Sequence, residues 1–595
     1  MAAGLQQTLR LRGRSARAGL ILALVAVASP MAASSAHAIE PFTDGSAALV
    51  NGSMTSGVAL GITDMNNDGL DDIVRLDDTQ FLEIEYQQLD GSFERYEFGE
   101  VGGSSWSLSL GDVNNDGYTD IFTGGAYNGL KVLTASADGT TFTSVTLETP
   151  PDSPGFPPPG VFLQCSNFVD IDNDGSLDVF ACHDNGLSAP YSNDGTGEFT
   201  YAPGLISAVS TIPSDNSGNY GSIWSDYDND GDLDLYIAKC SLGNNDPLSG
   251  RRTNLLFRNE GNGNWTEVAE SAGLRPLAQS WSLDFGDIDN DGDFDAFLIN
   301  HDQLSILYRN DGPGEAIGTF TEITASAGIA ADLGSMGNGI QNHFEDFDND
   351  GFIDLLVTGN DGQHRLFMNN GDLTFTRAVD PFPTGGLGIH SAVVGDLNND
   401  GQMDVLAGFA FSYNSPSDNP DRLLLNPGND NNWIAFRLHG DQSNRSAVGA
   451  RIEITGPWGT QVREVRAGES YGISNTLMRH FGLGSVEAID TVTISWPSGQ
   501  VDTFDYAAVN TVHDVMEGCP ETFYADGDGD GFGDARITAE GCVAPEGYVV
   551  LGTDCDDADE NNFPGNPEVC DTADNNCNGE ADEDVECSGT SSGGG

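Results

Sequence analysis

Asp287-Ile-Asp-Asn-Asp-Gly-Asp-Phe-Asp295 is the stretch from which the fold is read. Aspartates stand at its positions 1, 3, 5 and 9, and a glycine at position 6. In a tight loop alternate residues aim at one centre, position 7 adds its backbone carbonyl, and the glycine permits the sharp turn. The same D-x-[DN]-x-D-G-x-x-D pattern starts again at Asp64, Asp112, Asp170, Asp226, Asp346 and Asp396, seven copies in all, 48 to 61 residues apart. A repeat of that period is one supersecondary unit.

Taking positions 1, 3, 5, 7 and 9 in turn, the candidate ligands are Asp64, Asn66, Asp68, Leu70 and Asp72; Asp112, Asn114, Asp116, Tyr118 and Asp120; Asp170, Asp172, Asp174, Ser176 and Asp178; and Asp226, Asp228, Asp230, Asp232 and Asp234. The last three loops offer Asp287, Asp289, Asp291, Asp293 and Asp295; Asp346, Asp348, Asp350, Phe352 and Asp354; and Asp396, Asn398, Asp400, Gln402 and Asp404. Oxygen donors without histidine or cysteine select Ca²⁺ over a transition metal, and Mg²⁺ prefers to keep several waters. Plain Asx turns would need no ion. Positions 1, 3, 5 and 9 nevertheless gather 25 carboxylates, and like charges packed this closely call for a cation. The expectation is about seven Ca²⁺ ions, one to a loop.

An EF-hand would put a bidentate glutamate at position 12. Here that position holds Arg75, Thr123, Ala181, Ile237, Leu298, Val357 and Ala407. Apolar residues two positions upstream (Ile62, Leu110, Phe168, Trp224, Phe285, Phe344, Val394) and short apolar runs downstream, such as Leu355-Leu356-Val357, read as buried strands. Each loop therefore joins two strands. Hairpins such as Asn254–Asn259 with Trp265–Val268 add two more, and four strands per unit make a propeller blade. The fold expected is all-β: a seven-bladed β-propeller, then a small β domain and a disulfide-rich calcium-binding tail. Phe42–Leu49 supplies the strand that the seventh unit lacks after Arg422–Leu425, so closure of the ring through the N-terminal strand is expected.

At these loops the chain resembles the FG-GAP/VCBS repeats of integrin-α-like propellers, over about residues 39–430. The resemblance implies a non-catalytic binding or adhesion scaffold whose calcium loops are structural.

Ahead of the repeats, Arg10, Arg12, Arg14 and Arg17 precede the apolar run Ala18–Ser29 and then Ala36-His37-Ala38. This reads as a secretory signal peptide, 1–38, too short for a membrane span. Its removal leaves 19 basic residues against 92 acidic ones, a net charge of −73. Such a surface repels nucleic acid and anionic membrane.

Beyond residue 430 the loops stop and arginines gather: Arg437, Arg445, Arg451, Arg463, Arg466 and Arg479. They read first as partners of the acidic propeller and second as an acidic-ligand site. Asn444-Arg445, Gly449-Ala450-Arg451, Val462–Arg466, His480–Gly484 and Trp496–Gly499 resemble the ASPIC/UnbV domain, assigned to 431–507. That domain follows such propellers in cartilage-acidic-protein-like proteins.

The segment 519–587 holds Cys519, Cys542, Cys555, Cys570, Cys577 and Cys587, read as three disulfides of open connectivity. Asp526, Asp528, Asp530, Phe532 and Asp534 repeat the loop spacing, and Asp574, Asn576, Asn578, Glu580 and Asp582 repeat it more loosely, for one or two further Ca²⁺ ions. Asp554–Asp557 with Glu568–Gly579 resembles a Cys/Asp-rich metal-binding motif of secreted bacterial proteins, and Asp526–Asp534 looks like a thrombospondin type 3 repeat. Residues 588–595 are read as a flexible tail. Cys165 and Cys182 are placed for a disulfide across one hairpin, with Cys182–Cys240 as the alternative.

No H-E-x-x-H occurs, and His343 and His390 are read as packed strand histidines. The function expected is a secreted calcium-binding module for an extracellular protein or glycan, without a transmembrane segment. The rival is a polysaccharide hydrolase or lyase working in the central channel.

Overall fold

Position 9 opens the second strand of every unit: Asp72, Asp120, Asp178, Asp234, Asp295, Asp354 and Asp404 are all first residues of strands. The computed structural model describes residues 39–582 except 137–138, 151–159, 208–209, 211, 213–214, 242, 313–317, 360–362, 413–414, 490, 505–507, 519–520, 530, 542–544, 546, 550, 560, 565, 567, 571 and 578–580. The signal segment, the tail 588–595, Asp530, Asn578, Glu580, Cys519, Cys542 and Cys587 therefore lie outside the described residues.

Seven four-stranded antiparallel sheets carry the seven loops. Sheet 5 is typical: Ser280–Gly286, Asp295–Asn300, Ile306–Asn310 and Phe320–Glu322 pair in that order. The first strands (Leu60–Thr63, Ser107–Gly111, Leu163–Val169, Asn219–Ser225, Ser280–Gly286, Gly339–Glu345, Ser391–Gly395) pack one on the next, and the seventh packs on the first. They line the axis of a closed ring. Apolar residues from facing sheets fill the gaps, as where Leu283, Phe285 and Leu298 of sheet 5 meet Ile223 and Tyr236 of sheet 4.

Sheet 7 takes its fourth strand from the other end of the chain. Thr43 and Asp44 pair with Leu425 and Leu424, and Phe42 is buried between Phe347 and Phe382, with ring centroids 6.1 and 4.8 Å away. Closure in this way removes the exposed edges of an open array.

The small β domain has two sheets. Asn432–His439 lies between Arg479–Gly484 and Val512–Met516, and Arg451–Gly456 lies between Gly459–Glu464 and Thr491–Ser495, which Val501–Phe504 extends. Val512–Met516 runs parallel to Asn432–His439, so this sheet reaches past residue 507. Ile434, Phe436, Ile452, Phe481 and Ile494 share one apolar cluster with Val113, Phe168 and Leu177 of sheets 2 and 3, so domain and propeller have a continuous core.

Between its two sheets the domain sends Ala467–Thr476 down the propeller axis. Residues 461–476 are all buried. The segment touches every first strand. Ser474 bonds with Leu60 and Ile62, Gly472 O accepts Leu108 N, and Ala467 O accepts Phe168 N. Ser470 O lies against Gly221, and Tyr471 packs on Trp281 at 5.1 Å. Gln341 Nε2 donates to Tyr471 O at 2.9 Å, and Val394 N to Asn475 Oδ1 at 3.0 Å.

The cysteine expectations for the propeller are corrected: Cys165, Cys182 and Cys240 are buried free thiols. Cys165 and Cys182 do meet across their hairpin, as hydrogen-bonded thiols; the Ser222 N–H of the next sheet lies 3.5 Å from Cys165 Sγ, and Cys240 Sγ faces Gln279 Oε1 at 3.4 Å. In the tail, Cys555 pairs with Cys577, and Cys570 is also disulfide-bonded.

Candidate metal centre: seven loops beneath one domain

The seven loops share one hydrogen-bond scheme. The position-1 carboxylate accepts the N–H of positions 5 and 6, as Asp287 does from Asp291 and Gly292, both at 3.2 Å, and Asp64, Asp112, Asp170, Asp226, Asp346 and Asp396 do likewise. The position-5 carboxylate accepts the position-7 N–H: Asp68 from Leu70, Asp116 from Tyr118, Asp174 from Ser176, Asp230 from Asp232, Asp291 from Asp293, Asp350 from Phe352 and Asp400 from Gln402.

Position 9 does more than close the ligand set. One oxygen of each accepts a third-strand N–H at 2.7–2.8 Å, from Gln87, Ala135, Asn193, Asn259, Asn310, Asn369 and Asn426. In six loops the other accepts the position-2 N–H, as Asp295 does from Ile288 at 2.9 Å. In the fourth loop Tyr227 N turns to Ser225 O, and Asp234 Oδ2 is buried without a hydrogen-bond partner.

Position 3 is where the loops divide. Asn66, Asn114 and Asn398 donate their amides to the position-5 carboxylates at 2.9–3.0 Å. Aspartate at that position in loops 3 to 6 brings three carboxylate oxygens within 4.8 Å of one another: Asp170, Asp172 and Asp178; Asp226, Asp228 and Asp230; Asp287, Asp289 and Asp291; Asp346, Asp348 and Asp354. Asp228 Oδ1 and Asp289 Oδ1 are buried with no hydrogen-bond donor. Burial, with neighbouring carboxylates adding to it, pushes Asp287 up to about 8, Asp170, Asp226 and Asp348 to about 7, and Asp289 to about 6. Buried, unpaired, all-oxygen donors around one centre fit a hard cation, whose charge would hold these groups ionised.

Two sets of residues escaped the sequence reading. Position 4 is asparagine in all seven loops, and Asn67, Asn115, Asn173, Asn229, Asn290, Asn349 and Asn399 all have φ between 55 and 60°. Asparagine tolerates this left-handed conformation, and the signal was there at a position left unread. Its amide also reaches the next loop: Asn290 to Gly351 O at 2.9 Å and Asn349 to Gly401 O at 3.1 Å. The third-strand asparagines form the other set. Asn193, Asn310, Asn369 and Asn426 donate both to their own loop and to the preceding loop's position-2 carbonyl, as Asn369 does to Ile288 O at 2.8 Å.

The small domain covers this end of the propeller and touches all seven loops. Arg437 bonds Gly69 O, Ser446 Oγ accepts Asp112 N at 2.8 Å, and Gln442 O lies against Gly175. Glu464 accepts Asp226 N at 3.0 Å, Thr460 N donates to Asn290 O at 3.2 Å, and Gly484 N to Asn349 O at 2.8 Å. The Trp433 ring lies against Gly401. The arginines pair within this interface: Arg466 with Asp284 and Glu464 at 3.2 and 2.8 Å, Arg437 with Asp514 at 2.9 Å, and Arg479 with Glu469 at 3.6 Å. His343 and His390 are each 1% exposed, and His343 Nδ1 faces the Asn475 amide at 3.3 Å.

In the tail, Asp526 accepts Gly529 N and Gly531 N at 2.7 and 3.2 Å, the position-1 habit again. Both oxygens of Asp528 are buried without a hydrogen-bond partner. Asp534 instead bonds Arg536 at 2.6 Å, and Phe532 stacks on Phe563 at 5.5 Å. Asp557, which closes the Asp554–Asp557 stretch, accepts Gly527 N at 2.7 Å. Glu568 gathers Asn576 N and Asp582 N, both at 2.9 Å. The disulfide takes Cys555 and Cys577 out of thiolate chemistry although Asp554 lies beside them.

Comparison with known proteins follows the same divisions. The FG-GAP-like repeat model matches residues 64–123, 170–237, 240–298 and 346–407. The ASPIC and UnbV model matches 440–521, and a model described as "Putative metal-binding motif" matches 554–583. Cartilage acidic protein 1 of Xenopus tropicalis is 24% identical over 313 residues, covering 42% of this chain and 47% of that protein. The human protein of the same name is 23% identical, with 42% and 46% covered, so the match spans about half the length of these relatives. Among solved structures, BBS1N in complex with ARL6DN aligns with a TM-score of 0.40 at 10% identity over 66% of this chain and 97% of that one. Saccharomyces cerevisiae Sqt1 aligns at 0.38 and 13%, over 66% and 100%. The chain thus carries FG-GAP-like repeats, an ASPIC/UnbV match after them and, last, a match to a metal-binding motif.

Proposed function

We propose that this protein is an extracellular binding module held in shape by calcium. One observation carries the cation: seven loops repeat one preformed oxygen cage, with position-3 carboxylate oxygens buried and unpaired in two of them. The all-oxygen donor set favours Ca²⁺. When bound, the ion supplies charge that neutralises each cage; the carboxylates at positions 1, 3, 5 and 9 and the position-7 carbonyl would hold it. The disulfide Cys555–Cys577 suits an oxidising exterior. No helix among the described residues is long and apolar enough to cross a membrane.

The partner surface on this reading is the end of the ring away from the small domain. Antiparallel topology puts Leu187, Leu248, Leu277, Leu304 and Phe411 there, all exposed. An extracellular protein or glycan bound at this end is favoured over polysaccharide cleavage in the channel, because Ala467–Thr476 fills the axis from the loop end. A glycan and protein array read with 2 mM Ca²⁺ (about the extracellular level) and with EDTA tests it: Ca²⁺-dependent retention without product supports the reading, and released oligosaccharide overturns it.

A further inference from the structure

The geometry points to the small domain as a calcium-controlled plug: it stays docked, with Ala467–Thr476 in the channel, while the loops hold their ions, and it loosens when they are stripped. This rests on the calcium reading of the loops.

The domain does not grip the propeller through its walls alone. Its bonds land on the loops themselves, on backbone atoms at positions 1, 4 and 6: Asp112 N and Asp226 N, Asn290 O and Asn349 O, Gly69 O and Gly292 O. Side chains join at position 4, where Arg445 N donates to Asn115 Oδ1 at 3.0 Å and His480 Nε2 meets Asn349 Oδ1 at 2.6 Å. None of these bonds uses a position-3, -5 or -9 carboxylate or a position-7 carbonyl, so docking and ion binding are compatible. Both need the same loop shape, with position 4 left-handed and the position-6 carbonyl turned outward. An ion-free loop crowds three or four carboxylates and relieves them by splaying, which displaces those docking atoms.

The plug depends on this cover. Arg466, at the head of the plug, is anchored by Asp284 Oδ1 at 3.2 Å and Phe285 O at 2.9 Å, two residues ahead of the fifth loop. Thr476, at its far end, donates to Asp71 Oδ1 at 2.7 Å, inside the first loop. Arg466 is thus pinned to the strand that enters the fifth loop and Thr476 to the first loop itself, while the stretch between them bonds the first strands of sheets 1, 2, 3, 6 and 7, several of them more than once.

Electrostatics alone would argue the other way. Arg451 and Arg463 stand near loop carboxylates, whose charge acts on Asp226, Asp293, Asp287 and Asp346, and removing the ions would strengthen those attractions. Loop geometry and charge therefore predict opposite signs, which makes the inference decidable.

The test uses the mature full chain. Calcium binding is measured by equilibrium dialysis, and hydrogen exchange is followed by mass spectrometry in 2 mM Ca²⁺ and in EGTA. Peptides covering 466–479 should exchange about tenfold faster or more in EGTA, under conditions where the strands Thr491–Ser495 and Ile306–Asn310 keep their protection. Coupling is reciprocal, so a variant that weakens docking must also weaken ion binding. Trp433→Ala removes the ring lying against Gly401 without changing charge, and it should lower mean calcium affinity about fivefold. Calcium binding with unchanged exchange at 466–479 and wild-type affinity in Trp433→Ala overturns the plug while leaving the loop reading intact. No calcium binding overturns both.

Discussion

Asn349 shows how much one residue of this ring carries. It holds a left-handed φ of 55°, donates to Gly401 O and Gln402 Oε1, each at 3.1 Å, and accepts from His480. Alanine there loses a tolerated conformation, worth about 1–2 kcal/mol, and the bonds, about 1 kcal/mol each. Asn349→Ala should therefore cost about 3 kcal/mol in urea denaturation, whereas Asn399→Gly, which keeps the conformation in the seventh loop, should cost under about 1 kcal/mol. Equal losses would remove the interlock as the reason for asparagine. These residues were legible only as a repeated letter: the spacing argument asks which side chains meet the ion, and position 4 faces the next loop instead.

At the scale of one loop, positions 3 and 9 have different work. Asp289 stands beside Asp287 and Asp291 with a buried, unpaired oxygen, while both oxygens of Asp295 are held by backbone N–H groups of Ile288 and Asn310. Asp289→Asn should leave ion-free stability unchanged or raised, because it removes a repelling charge, and should shrink the rise in melting temperature that Ca²⁺ produces. Asp295→Ala strands two buried donors, at about 1–3 kcal/mol each, and should destabilise with and without Ca²⁺. Thermal melts of both variants in EDTA and in Ca²⁺ separate the roles; the idea fails if the two respond alike. The closing strand makes a second element-scale prediction. Phe42→Ala empties a buried site between two rings and should cost about 3–5 kcal/mol, read as lost protection in Arg422–Leu425.

For the whole molecule, mass action makes the melting temperature rise with calcium concentration, and unchanged melting between excess EDTA and millimolar Ca²⁺ would reduce the loops to ordinary turns. Acid acts through a different set of groups. Burial holds His301, His364 and His390 at about 4 and His343 at about 3, below the ordinary 6.5, with Arg365 and Arg377 adding to the effect on His364. As pH falls, the unfolded chain binds these protons first. The stability of the neutral buried rings is therefore complete above pH ~6.5 and drains as pH falls toward about 4. Melting at saturating Ca²⁺ should drop from pH 7 to pH 5, and His343→Gln should recover part of that drop.

Local chemistry determined what the sequence could disclose. A carboxylate spacing needs only nine neighbouring residues to be recognised, and its recurrence set the period, the strands on either side and the missing strand that Phe42–Asp44 supplies. The tertiary structure alone decided what those loops face. The domain seated on all seven and the plug of Ala467–Thr476 along the axis both join residues distant in the chain. Such contacts depend on where the closed ring brings surfaces together, and they leave no periodic trace in the residues that make them.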